Sequence, residues 1–180
     1  VPLARSAPTL DGRIGEDEWT DRGVSFDGFR SGDRLEPRRC RAWVAATADT
    51  LFVAVRSRLP DEGRLATAVE ADSLKVLHDD AVEVAVCPAP ADDAAPTVRL
   101  VANSLGRSAY LVHRGDEDGP AVWDGTWRHA HGRRDGAWEA EVAIPIASLP
   151  GGTVGVLWSN QETRRFGFRT HADGADSAAW

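Results

Sequence analysis

Residues 39–58 read RCRAWVAATADTLFVAVRSR, two alternating runs joined by a short polar break. In the first run Cys40, Ala42, Val44 and Ala46 fall on one side, and Arg39, Arg41 and Trp43 on the other. In the second run Leu51, Val53 and Val55 share a side. Successive side chains of a strand point to opposite faces, so a period of two marks a half-buried strand. Thr47–Thr50 supplies the turn, and the whole stretch predicts a β-hairpin.

The same period recurs outward from this hairpin. Segment 81–87 (AVEVAVC) places Val82, Val84 and Val86 inside and Glu83 on the opposite face. Further strands are predicted at 97–103, 107–113, 126–131, 136–144 and 153–160, each bounded by Gly, Pro, Asp or Asn. Pro88–Pro96 (PAPADDAAP) is a polar, Pro-rich loop that cannot continue a central strand. The best helical stretch is 64–77 (RLATAVEADSLKVL), with a second helical turn at Gly15–Thr20. Eight to ten short strands at close spacing predict an all-β, jelly-roll-like antiparallel β-sandwich with one or two short helices. We find no linker and no internal repeat, so residues 1–180 are expected to form a single domain.

Composition narrows the partners. A net charge of −7 disfavours nucleic acid, which needs a basic field on the protein. No apolar run reaches the 18 or so residues of a membrane helix. The chain starts at Val1 with no signal peptide or lipid motif, so it reads as a mature form or an excised module of a larger polypeptide. Lys75 is the sole lysine against twenty arginines and Met is absent, the mark of a GC-rich, bacterial genome. Cys40 and Cys87 are expected to be small buried hydrophobes rather than a disulfide, and they leave the redox compartment open.

Several phrases, read in order, resemble the family 9 carbohydrate-binding modules. Pro8-Thr9-Leu10-Asp11-Gly12-Arg13-Ile14 with Glu18-Trp19 resembles the family's "LDG…W" entry, and Asp49-Thr50-Leu51-Phe52-Val53-Ala54-Val55 its "D.LYVAV" strand. Asp79-Asp80-Ala81-Val82-Glu83-Val84 resembles "DsvEvf", and Val101-Ala102-Asn103 with Gly106 resembles "vN..G". Trp138-Glu139-Ala140-Glu141-Val142-Ala143-Ile144-Pro145 with Leu149 is close to "W..EvAIP…L". The resemblance implies a sandwich whose concave sheet cups a sugar chain end, sometimes with structural calcium and an extracellular location. It implies that the carboxylate of Glu83 and the amide of Asn103 bond sugar hydroxyls. Leu77 stands where the family's first stacking tryptophan lies, and Trp180 is the nearest candidate for the second. Val101 replaces the family's arginine, with Arg99 one step back on the same face. The chain stops at Trp180, where the family pattern has one more strand.

Sugar recognition needs flat aromatic faces and planar polar groups, and seven tryptophans can supply the faces. Trp19, Trp123 and Trp138 read as core or edge packing; Trp43, Trp127 and Trp158 share faces with polar residues and are expected to be exposed. Glu83, Arg99 and Asn103 alternate away from their apolar stripes and suit bidentate bonding to vicinal hydroxyls. From the residues alone, Glu83 and Arg99 read equally as a surface salt bridge. Asn160 and Glu162 alternate with Trp158 and join the ligand-binding candidates. His129 and His131 form an H-x-H pair beside Trp127, and His113 is a third candidate metal ligand. Calcium is the other metal candidate, through the Asp-rich loops. Haem is disfavoured by the absence of Met.

No G-x-S-x-G, H-E-x-x-H or Cys–His signature is present, so catalytic residues are not assigned. The expectation is a non-catalytic carbohydrate-binding module with a sugar or other small-molecule ligand. A biosynthetic enzyme or small-molecule pocket on the same sandwich, and a structural or interaction domain, remain as alternatives.

Overall fold

The computed structural model describes backbone and side chains for residues 4, 6–15, 17–19, 40–59, 63–65, 67–85, 97–112 and 123–148. It describes the backbone alone for residues 16, 24–27, 30–31, 34–35, 86–88, 113–114, 117–118, 152–159, 165–170 and 176–177. Strands in chain order are β1 (Val24–Asp27), β2 (Arg30–Ser31), β3 (Arg34–Leu35), β4 (Cys40–Ala46), β5 (Thr50–Arg58), β6 (Ala81–Pro88) and β7 (Thr97–Asn103). There follow β8 (Ser108–Arg114), β9 (Glu117–Asp118), β10 (Arg128–Arg134), β11 (Ala137–Pro145), β12 (Gly152–Ser159), β13 (Arg165–Thr170) and β14 (Asp176–Ser177). One sheet has the order β1-β4-β5-β11-β10 and another β14-β13-β12-β6-β7-β8-β9, with β2 and β3 pairing separately. Every pairing described in the two large sheets is antiparallel.

This is the all-β antiparallel sandwich class expected from the alternation. All eight strands read from the sequence are present, shifted by at most three residues at their ends. β1, β13 and the two-residue strands are additional to these eight. Cys40 is buried, as expected. Among the described residues no helix is long and apolar enough to cross a membrane. The chain divides into two compact units: Val1–Phe29, Arg34–Leu65 and Gly125–Ser148, and then Arg30–Asp33, Ala66–Asp124 and Leu149–Trp180.

In the first unit both faces of β4, β5 and β11 are buried. One face carries Ala42, Val44, Val53, Val55, Ala140 and Val142. The other carries Trp43, Ala45, Phe52, Ala54 and Ala143, over which the entry segment lays Ile14 and Trp19. The helical turn expected at Gly15–Thr20 is Glu16–Trp19, which we label α1.

Two buried carboxylates hold the entry segment in place. Glu141 Oε2 accepts from Asp11 N (3.1 Å) and Gly12 N (2.8 Å), and its Oε1 accepts from Trp19 Nε1 (3.0 Å). Glu139 accepts from Ile14 N (3.1 Å) and from Arg56 Nε (2.6 Å). Gly12 sits at φ +81°, where a Cβ would lie 2.6 Å from the His131 carbonyl. A Cβ on Gly132 would lie 2.3 Å from the Gly12 oxygen, so the two backbones touch only because neither carries a side chain. The "LDG" and "WEAEVAIP" phrases are thus two halves of one structural joint.

In the second unit Val82 and Val84 pair in register with Ala102 and Leu100, and all four are buried. Ala81 and Val101, on the other face, are covered by Val76 with Val69, Leu77, Ala109 and Leu111. The helix expected at 64–77 is corrected. Only Leu74–His78 is helical, as a 3₁₀ turn, and residues 67–70 run without regular structure. The physical cause is competition for backbone donors: Asp79 Oδ1 and Oδ2 accept from Ala68 N (3.0 Å) and Val69 N (3.1 Å).

Candidate functional site

The face expected to bind ligand lies on β6 and β7 of the second unit. Cross-strand partners share a face, so the register shows which residues can act together. Arg99 is in line with Ala85, Gly155 and Arg169, and Glu83 with Val101, Leu157 and Gly167. Three of these neighbours, Ala85, Gly155 and Gly167, are alanine or glycine.

Glu83 and Arg99 meet as a fork-to-fork pair. Arg99 Nε donates to Glu83 Oε1, and Arg99 Nη2 donates to Glu83 Oε2 at 2.7 Å. The Glu83 side chain is 1% exposed and that of Arg99 12%. The expected surface salt bridge is therefore corrected to a buried one. Such a pair removed from water needs bidentate geometry to offset its desolvation, and this geometry is present. Glu83 holds the guanidinium plane in place, and Arg99 is the member that reaches solvent.

Asn103 does not belong to a ligand surface, which corrects the expectation. It is 0% exposed. Its Nδ2 donates to Asp79 Oδ2 (2.8 Å) and Val69 O (3.0 Å). Its Oδ1 accepts from Arg107 N (2.9 Å) and Leu105 N (3.0 Å). Both donors and both lone pairs are committed, so no valence remains for a sugar hydroxyl. Asn103 ties the β7–β8 turn, with Gly106 at φ +74°, to the segment before the 3₁₀ turn. Leu77, at the position of the family's stacking tryptophan, packs on the cluster around Val76.

Trp43 is also corrected. It is 3% exposed, in the core of the first unit, with the Cζ atoms of Arg41 and Arg56 at 5.7 and 5.8 Å from its ring. Its strand face looks polar in sequence because arginines flank it, yet those arginines cover the ring. The register pairs Trp158 with Val82 and Phe166, one step off the Glu83 row, so Trp158 and Glu83 do not share a face. Asn160, Glu162 and Trp180 lie outside the described residues. Trp19 and Trp138 are core residues as expected, while Trp123 is half-buried and meets the partly exposed Tyr110 edge-to-face at 5.7 Å. Sequence reading missed Tyr110 because its neighbours Ala109 and Leu111 are unremarkable.

The H-x-H pair forms an aromatic ladder. Trp127, half-buried rather than fully exposed, lies 4.7 Å from His129, His129 5.1 Å from His131, and His131 is stacked 5.8 Å from Trp138. His129 Nδ1 and His131 Nε2 are 3.0 Å apart. Burial, reinforced by His129, lowers the His131 pKa to about 3, so its imidazole is neutral at pH 7. Its Nδ1 is buried without a partner. Burial raises the Glu141 pKa, against the opposing bonds from Gly12 N, Trp19 Nε1 and Asp11 N. Among the described residues no group of three or more His, Cys, Asp or Glu could hold a metal ion. The side chain of His113 lies outside them.

No family model and no curated protein matches the chain. Solved structures do match in fold. One is a protein of Bacteroides uniformis described provisionally as carbohydrate-binding: TM-score 0.67, 15% identity, covering 98% of this chain and 89% of that one. Another is a family 9 carbohydrate-binding module of Caldicellulosiruptor kristjanssonii in complex with cellotriose: TM-score 0.51, 10% identity, 92% and 80% covered. A third is a family 9 module of the same organism in complex with glucose: TM-score 0.51, 9% identity, 99% and 83% covered. The likeness read from ordered sequence phrases is thus present in the fold.

Proposed function

We propose that the chain is a non-catalytic saccharide-binding module that holds its ligand on the sheet face of Arg99. The observation that carries this reading is the fold, shared through at least 92% of the chain with modules that hold cellotriose and glucose. The local chemistry supports it. Arg99 is held by Glu83 with its side chain 12% exposed, in a row with Ala85 and Gly155. A pre-oriented donor loses little freedom when a hydroxyl pair docks on it. Neither Asn103 nor Trp43 takes part, and aromatic contact falls to residues such as Trp180.

The test is affinity electrophoresis and calorimetry with glucose, cellotriose and a panel of other oligosaccharides. Arg99→Ala should weaken binding at least tenfold, and Trp180→Ala should weaken it as well. Glu83→Gln, which keeps the shape while loosening the guanidinium, should have an intermediate effect. If no mono- or oligosaccharide binds at millimolar concentration, the reading fails.

A further inference from the structure

Four buried side-chain atoms among the described residues have no hydrogen-bond partner, and three of them belong to neighbours in the first unit: Ser57 Oγ, Trp138 Nε1 and His131 Nδ1. The register explains how they come together. Ser57 on β5 is the direct cross-strand partner of Trp138 on β11. His131 on β10 is the partner of Ala140, two residues along β11 from Trp138 and therefore on the same face. The His131 ring stacks on the Trp138 indole at 5.8 Å and 19°. In the next row of that face lie Val55 and Ala140, both buried, whose side chains hold no polar atom.

Ser57 is 0% and Trp138 1% exposed, so bulk solvent does not satisfy them. Buried polar groups are nearly always paired, either with protein or with an ordered water. The three groups are complementary in kind. An indole N–H can only donate, a hydroxyl donates or accepts, and an imidazole nitrogen does one or the other according to tautomer. His131 is uncharged at pH 7, and its Nε2 lies 3.0 Å from His129 Nδ1, so one hydrogen is shared along that contact. When His131 Nε2 carries it, Nδ1 is left as an acceptor. A water can then accept from the Trp138 N–H and donate to His131 Nδ1 and Ser57 Oγ. Those are three bonds, about the usual number for a buried water. The 5.8 Å between the ring centroids is also about two hydrogen-bond lengths, the span of a single bridging oxygen.

We infer that Ser57, Trp138 and His131 form a binding site for one structural water, which fixes His131 as the Nε2–H tautomer, donating to His129 Nδ1. The ladder from Trp127 then ends on a continuous hydrogen-bonded chain, His129 to His131 to water to Ser57, instead of on three unpaired atoms. The inference is independent of the saccharide reading, because neither Glu83 nor Arg99 takes part in it.

The experiment is NMR of the intact, ¹⁵N-labelled chain at pH 7. Water-selective NOE and ROE spectra should show cross-peaks of opposite sign at the Trp138 indole N–H, the signature of a bound water rather than of hydrogen exchange. Long-range ¹H–¹⁵N spectra should show His131 Nε2 protonated and Nδ1 bare. Ser57→Ala removes one of the three bonds and the only hydroxyl of the trio, and the indole–water signal should persist. Ser57→Val puts methyl groups in the water's place and should abolish the signal. Far-UV circular dichroism checks that both variants fold, and the measurements on the parent stand without them. The inference is overturned if the parent indole shows no bound-water signal, or if His131 Nδ1 carries the hydrogen. It is equally overturned if the signal survives in folded Ser57→Val, or if it vanishes in Ser57→Ala, which would trace it to the hydroxyl.

Discussion

Removal of the Glu141 carboxylate tests how the entry segment is held. Glu141→Ala leaves three donors without their acceptor: Asp11 N, Gly12 N and Trp19 Nε1. An unsatisfied buried donor costs about 1–3 kcal/mol, and two of these three bonds are buried. The sum is offset in part because burial disfavours the charged carboxylate, the same effect that raises its pKa. We therefore expect a net loss of about 3 kcal/mol, a large share of the roughly 5–15 kcal/mol that stabilises a domain. Glu141→Gln isolates one bond. Its carbonyl can still serve the two backbone N–H groups, but its NH₂ then faces the Trp19 indole N–H, donor against donor. The expected loss is about 1–2 kcal/mol. Trp19→Phe removes the opposing donor, so the two changes should couple in a double-mutant cycle. Urea unfolding at pH 7, followed by far-UV circular dichroism, reads all five proteins, the double variant included. A loss below about 1 kcal/mol for Glu141→Ala, or equal losses for the Ala and Gln variants, would refute the reasoning.

Other consequences are equally direct. Gly132→Ala forces a Cβ to within 2.3 Å of the Gly12 oxygen, and should destabilise by about 2 kcal/mol or more in the same unfolding assay. Asn103→Ala should lower stability by about 2–4 kcal/mol, since it orphans Leu105 N, Arg107 N and their counterparts, while saccharide affinity of the folded fraction stays unchanged. His131 resists protonation in the folded state, so its contribution is complete above the unfolded pKa near 6.5 and is lost as pH falls toward 3. Between pH 6.5 and 5 the parent should therefore lose about 2 kcal/mol more stability than His131→Phe, measured by urea titration at each pH.

How far the sequence discloses this protein depends on the range of the interaction. The strands are local patterns, and the eight long ones were visible as alternation. Facing was harder. Alternation separates two faces but does not say that the second is wet. On β6 it correctly placed Glu83 opposite Val82 and Val84, yet Glu83 is as buried as they are, because Arg99 closes over it. Trp43 likewise sits on the charged side of β4 and is covered by two arginines and by residues some thirty positions earlier in the chain. Glu139 and Glu141 carried no local sign of their role, since their partners Ile14 and Gly12 are more than 120 residues away. The helical period at 64–77 lost to a side chain that captured its backbone donors.

The central claim is that Arg99, oriented by Glu83, forms part of a saccharide-binding face. Its most direct measurement is a cellotriose titration of the intact chain, with the Arg99 Nε–H resonance followed by NMR beside the same titration of Arg99→Ala. The account predicts a saturable shift of that resonance and at least tenfold weaker binding in the variant. Saturable binding of equal strength in both proteins, or no shift at Arg99 at millimolar sugar, would contradict it.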